Sequence, residues 1–144
     1  MKTVERTATI SAAPEALFAY LADLDNLDEW MPGILSAEVT SPGEIGVGTT
    51  ARVVRALGAQ QVAAQLTVAE YDPPRHLVIT SEVSGVRVAA SLDLEPAADA
   101  TDLRFAMEIR GSMLTRFMEP MIAGAAGGEI DATLERLRAR FAPG

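Results

Sequence analysis

The chain contains no cysteine. That excludes disulfide bridges, a thiolate nucleophile and any thiolate-ligated metal. Its one lysine is Lys2, which leaves no internal amine for a Schiff base or a phosphate-binding loop. Its one histidine, His76, is too little for an imidazole-based zinc site. The motifs GxGxxG, GxSxG and HExxH are missing, and there is no internal repeat. No stretch approaches the ~20 apolar residues of a membrane span. The opening MKTVERTATI alternates polar and apolar residues rather than forming the apolar stretch of a secretory signal, so the expected location is cytoplasmic. Positive charge is also scarce. The formal net charge is -8, which argues against nucleic acid as a partner and, less strongly, against an anionic membrane surface.

What is present reads as one domain over residues 1–144. KTVERTATI alternates Val4, Ala8 and Ile10 with threonines, a half-buried strand that carries Arg6 on its apolar side. SAAPEALFAYLADL reads as a helix with Pro14 in its first turn, and DNLDEWMPG as a second short helix stopped by Pro32 and Gly33. Strands follow in ILSAEVTS, TTARVVRAL, QQVAAQLTVAEYD, HLVITSEVS, VRVAASLDLEP and TDLRFAMEIR, with turns at Gly58, Pro73-Pro74 and Gly85. Their alternation predicts an antiparallel sheet with one face to water. After Gly111, with Ser112 as its cap, a long helix carries the stripe Leu114, Phe117, Met118, Met121, Ile122, Ala125, Ile130, Leu134, Leu137 and Phe141. The inner face of the sheet is the one surface large enough to bury that stripe.

The middle of this helix, PMIAGAAGGEI, holds its poorest helix formers. Three readings fit. The small residues leave room for a cavity wall, with Pro120 as a kink; they allow close packing on a neighbour; or the helix breaks here. Small residues also recur on the strands, at Ala63, Ala64, Ala89 and Ala90.

ATISAAPEALFAYLADLDNLDEWMPGI resembles the N-terminal signature of the START-like, SRPBCC helix-grip superfamily, in its polyketide cyclase/dehydrase-like and coenzyme Q-binding-like branch. AEYDPPRHLVI resembles the strand–proline–strand turn of that group, and GSMLTRFMEPMIAGAAGGEIDATLERLRARF its closing helix. The resemblance implies an α+β, START/Bet v 1-like fold: a curved antiparallel sheet of about seven strands around a long C-terminal helix, with two short helices after the first strand. It also implies a deep, mostly apolar cavity between sheet and helix. The residues expected around that cavity are Tyr20, Trp30, Arg55, Leu66, Val88, Phe105, Met107, Phe117, Met121, Gly124 and Gly128.

Arg52 and Arg55 occupy opposite faces of one strand, so one of the two points inward and needs a partner there. Trp30, the only tryptophan, either anchors the short helices or stacks on a ligand. Asp23, Asp25, Asp28 and Glu29 read as caps and a solvated face, with a metal site as the lesser alternative. The leading functional expectation is a binder of a small hydrophobic molecule, such as a lipid, quinone, isoprenoid or polyketide, with no cofactor and no metal, and with a homodimer left open. The first alternative is an aromatase/cyclase or dehydratase, with Arg6, Arg52, Arg55, Tyr20, Glu70 and Glu82 as candidate polar groups and no catalytic residue assigned. The second is a protein-interaction module, which an exposed apolar patch would favour.

Overall fold

The computed structural model describes residues 2–57, 59–83, 85–113 and 115–142, so the turn expected at Gly58 and the stripe position Leu114 lie outside the described residues. Strand β1 (Lys2–Ile10) leads into helix α1 (Pro14–Ala22), a single 3-10 turn (Leu24–Asn26) and the short helix α2 (Leu27–Trp30). Strands β2 (Ile34–Val39), β3 (Thr50–Leu57), β4 (Gln60–Asp72), β5 (His76–Val83), β6 (Val86–Ala97) and β7 (Ala100–Gly111) follow, and helix α3 (Glu119–Arg140) ends the chain. The seven strands form one antiparallel sheet in the order β1-β7-β6-β5-β4-β3-β2. This is the helix-grip α+β architecture that the resemblance implies. Among the described residues, no helix is long and apolar enough to cross a membrane.

Alternation decides which side chains enter the core. On β6, Val86, Leu92 and Leu94 are buried, while Arg87 and Glu95 are exposed. On β7, Leu103, Phe105, Met107 and Ile109 point inward against outward Asp102, Arg104 and Glu108. Two bulges reset this alternation. One at Leu35 turns that side chain to solvent and brings Ala37 back toward the core. The other, at Ala69, moves the inward set of β4 from Leu66 and Val68 to Tyr71, whose ring packs on Phe18 at 5.6 Å.

Helix α3 buries Ala126, Ile130, Thr133, Leu134 and Leu137. Each fully buried Leu or Ile contributes roughly 1.5–3 kcal/mol. The helix is continuous from Glu119 to Arg140, so the glycine-rich stretch does not break it. Pro120 occupies its first turn, where the missing N–H costs nothing; it is not the kink expected from the sequence. Ser112 likewise is not the helix cap. Its backbone N–H donates to Thr115 Oγ1, and Thr115 Oγ1 in turn donates to the carbonyl of Gly85, tying the β5–β6 hairpin to the link before α3. Glu119 accepts the N–H of Gly111 at 2.9 Å. A Cβ on Gly111 would meet the backbone of Thr115 and Arg116 at 2.8–2.9 Å, so only glycine allows this tight exit from β7.

The outer face of the sheet is polar and cross-linked by charge. Arg104 pairs with Glu5 at 2.9 Å, and Thr9 donates to Asp102 at 2.8 Å. His76, Glu70 and Asp93 meet on this face, with Nδ1 2.6 Å from Asp93 and Nε2 3.0 Å from Glu70. Burial disfavours the imidazolium, but hydrogen bonds to both carboxylates outweigh it and raise the His76 pKa. A raised native pKa stabilises the fold fully below the unfolded value of about 6.5, and the gain is lost as pH rises through the native value. Wild-type protein should therefore lose up to ~1 kcal/mol, beyond any loss shown by His76→Gln, between mildly acidic and mildly alkaline pH, a small effect because the partners are solvent-exposed. Urea melts of both proteins across that range check this; parallel pH profiles would refute it.

Candidate functional site

The core is incomplete between the sheet and the first half of α3. A cavity of about 200 Å³ remains there. Its walls are largely apolar: Ile34, Leu66, Ile79, Val88, Ala90, Leu92, Met107 and Ile109 from the sheet, and Met118, Met121, Ile122, Ala125 and Ala126 from the helix side. Small side chains on both walls leave this room, Ala125 and Ala126 on α3 and Ala90 on β6. Met121 is both a wall residue and 67% exposed, so the cavity reaches solvent beside the start of α3. A larger hollow of about 670 Å³ between α1, the β2–β3 loop and Pro73-Pro74 is wide open to solvent, and it encloses far less apolar surface. The enclosed cavity is therefore the candidate site.

Four polar side chains interrupt its apolar lining: Trp30, Arg55, Ser81 and Glu129. Arg55 is the inward arginine of β3. It lies on the same face as buried Ala51 and Val53, while Arg52 is exposed on the other face. Its Nη2 donates to Glu129 Oε1 and Oε2, both at 3.1 Å, with side chains only 19% and 15% exposed. Gly33 makes room for this pair, since a Cβ there would sit 2.9 Å from Glu129 Oε1 and 3.0 Å from Arg55 Nη2. Trp30 is 1% exposed, and its ring meets Phe105 edge-on at 6.3 Å. Trp30 Nε1, Arg55 Nε and Ser81 Oγ are buried without a hydrogen-bond partner among the described residues. Two of these atoms are donors only, and both belong to residues of the cavity wall.

Of the residues expected from the sequence, Trp30, Arg55, Leu66, Val88, Met107 and Met121 lie on the cavity wall. Five do not. Tyr20 faces away from it: its hydroxyl donates to Glu29 at 3.0 Å, its ring meets Phe141 at 5.5 Å, and Arg140 lies over it at 4.7 Å. Burial and the bond to Glu29 raise its pKa, so it remains a phenol that clasps α1 to the end of α3. Phe105 is fully buried behind Trp30. Phe117 sits on a 3-10 turn that directs it to solvent, 79% exposed, while its neighbour Met118 turns inward. Gly124 and Gly128 are exposed, and an added Cβ at either would meet nothing within 4 Å. They lie on the outer face of α3. Replacing both with alanine should raise stability by ~1–2 kcal/mol in total, because the helix no longer carries two glycines, and should leave the cavity unchanged. A denaturant melt reads the gain; a loss would mean that these positions pack against something.

The glycine with a packing role is Gly127. A Cβ there would approach Arg6 and Val4 of β1 at 3.6–3.7 Å, and the guanidinium of Arg6 runs past it to Asp131 at 3.2 Å. Close helix–strand packing thus explains Gly127. The remaining polar candidates lie away from the cavity: Arg6 with Asp131 beside Gly127, Arg52 and Glu82 exposed, and Glu70 with His76 on the outer face. Asp23 accepts the N–H of Asp25, and Asp25 that of Val39. The sequence reading missed Ser81 and Glu129. Glu129 had a readable signal, since Ile122, Ala125, Ala126 and Glu129 recur at helical spacing on one face of α3.

The sequence profile of a family described as polyketide cyclase / dehydrase and lipid transport matches residues 1–142. Two uncharacterized proteins of Mycobacterium tuberculosis, from strains CDC 1551 / Oshkosh and ATCC 25618 / H37Rv, are each 24% identical over 138 residues, covering 94% of this chain and 96% of theirs. Among solved structures, a START superfamily protein from Mycobacterium smegmatis superposes with a TM-score of 0.80 at 15% identity, over 96% of both chains. The Zhui aromatase/cyclase from Streptomyces sp. R1128 gives 0.78 at 15% identity, over 96% of this chain and 92% of that one. At such identities the structural likeness speaks to the fold, and the profile match across nearly the whole length speaks to descent. This chain belongs to the polyketide cyclase / dehydrase and lipid transport family, on the START helix-grip fold.

Proposed function

We propose that this protein binds one small hydrophobic molecule in the cavity between the sheet and α3. The observation that carries the reading is the largely apolar-walled space of about 200 Å³ beside Trp30 and Arg55. A site of roughly 150 Å³ suffices for a benzene-sized guest, so this one suits a compound of one or two rings or a short isoprenoid. The family description, which includes lipid transport, supports the same reading. Native mass spectrometry of protein purified mildly from its source cells, followed by denaturing release, tests it. The expected result is a stoichiometric apolar molecule. Protein that carries none and also fails to take up a small aromatic probe would overturn the proposal.

A second reading, an aromatase/cyclase or dehydratase, has one observation in its favour. Glu129 is a carboxylate inside an apolar cavity, where a general base is effective. Both of its oxygens already accept from Arg55 Nη2, so taking a proton from a ligand would require that contact to break. Loss of water from a linear poly-ketone on incubation with the protein, abolished by Glu129→Gln, would promote this reading over plain binding.

A further inference from the structure

We infer that the cavity selects for a neutral, oxygen-bearing ligand and rejects a carboxylate, and that Glu129 is the residue that sets this preference. The inference rests on the binding function proposed above and specifies the chemistry of the ligand's polar end.

Among the described residues, Arg55 is the only cation and Glu129 the only anion on the cavity wall. The two form a two-point contact at 3.1 Å, so the site is electrically balanced before any ligand enters. A ligand carboxylate would have to leave water and would find no free positive charge. It would also lie close to Glu129, which adds repulsion. Fatty acids and other carboxylates therefore fit poorly, although an arginine lines the cavity.

Hydrogen bonding gives the complementary half. The pair uses Arg55 Nη2 and leaves Arg55 Nε without a partner among the described residues, and Trp30 Nε1 is in the same state. Both can only donate. A carbonyl or phenol oxygen accepts from such groups without bringing net charge, and the donor on Arg55 is charge-assisted. Ser81 Oγ, also without a partner, can donate or accept and so adds a second polar point at no cost in charge. Gly33 belongs to the same device, because any side chain there would displace the pair that keeps the site neutral. Quinones, aromatic ketones and phenols meet all of these conditions.

Isothermal titration calorimetry with four bicyclic probes tests the inference: naphthalene, 2-naphthol, 1,4-naphthoquinone and 2-naphthoate at neutral pH. The lack of cysteine means that the quinone meets no thiol to alkylate. The expected order places 2-naphthol and 1,4-naphthoquinone about tenfold tighter than naphthalene, the yield of one charge-assisted hydrogen bond, with 2-naphthoate no tighter than naphthalene. Glu129→Gln keeps the side-chain shape and frees the charge of Arg55, so the affinity of 2-naphthoate relative to that of naphthalene should rise about tenfold or more. Should that variant fail to fold, Trp30→Phe replaces it. It removes one donor, and the advantage of the oxygenated probes over naphthalene should shrink. Equal binding of naphthalene and the oxygenated probes, or tightest binding of 2-naphthoate to wild type, would overturn the inference but leave a hydrophobic cavity standing. Binding of none of the four would overturn the proposed function itself.

Discussion

Phe105→Ala is expected to lower the unfolding free energy by about 3–5 kcal/mol, the range for removing a buried aromatic side chain. Phe105 has no exposed surface, and it stands on β7 between Arg6 of β1 and Leu92 of β6. Its ring is also the support for Trp30, which forms the inner wall of the cavity. Truncation therefore has two consequences. The core loses an aromatic group, and Trp30 loses the edge contact that fixes its plane, so the cavity wall retreats. Denaturant melts followed by circular dichroism read the first effect, and the emission of the single tryptophan reads the second. A loss below about 1 kcal/mol with unchanged emission would mean that the sheet and Trp30 close over the gap, and that Phe105 does not hold the wall.

The second large effect concerns Arg55 and Glu129. Arg55→Met should cost about 2–3 kcal/mol, because it leaves a mostly buried carboxylate without its partner. The figure lies below the ~3–5 kcal/mol of a fully sealed pair, since these side chains retain 19% and 15% exposure. Adding Glu129→Met should restore most of the loss, because an apolar pair of similar size carries no desolvation penalty. The double-mutant cycle thus separates two explanations of why the ion pair is there. If the double variant is as stable as wild type, the pair contributes little to folding, and its presence points to ligand choice. If the double variant is as unstable as the single ones, the pair holds β3 to α3.

The fold was legible because alternation is a strong signal. VRVAASLDLEP and TDLRFAMEIR sort their residues into two faces by simple parity, and the structure keeps that sorting on β6 and β7. Parity fails where a residue is inserted. The bulge at Ala69 could not be read from QQVAAQLTVAEYD, and it is what carries Tyr71 into the core. The question of Arg52 against Arg55 was likewise open until the register fixed Arg55 opposite Ile34. On the long helix the stripe was sound in its second half, at Ile130, Leu134 and Leu137, and misleading at Phe117. There the chain runs through a 3-10 turn, and a period of 3.6 residues does not apply. The glycines misled for a different reason. A missing side chain signals room, but composition does not say on which side of the helix the room lies. Gly124 and Gly128 face solvent, Gly127 faces β1, and the cavity is bordered by Ala125 and Ala126. Glu129 escaped notice because a carboxylate on an apolar stripe makes sense only once its partner on another element is known.

The strand order has a consequence for how the chain reaches this state. Strands β2 to β7 follow one another as a meander, each beside its predecessor, and from β3 onward hairpin can add to hairpin over short loops. Strand β1 is different. It pairs with β7, and the contact of Glu5 with Arg104 spans 99 residues. Closing a loop of that size carries an entropic cost that local hairpins avoid, so pairing of β1 is expected to be the slow, late step in folding. During synthesis β1 emerges before the other six strands and waits for β7, the last of the seven to be made. Until the two meet, β7 exposes a free edge with alternating apolar residues, which is the surface most open to pairing with another chain. Docking of α3, which packs on both β1 and β7, seals that seam.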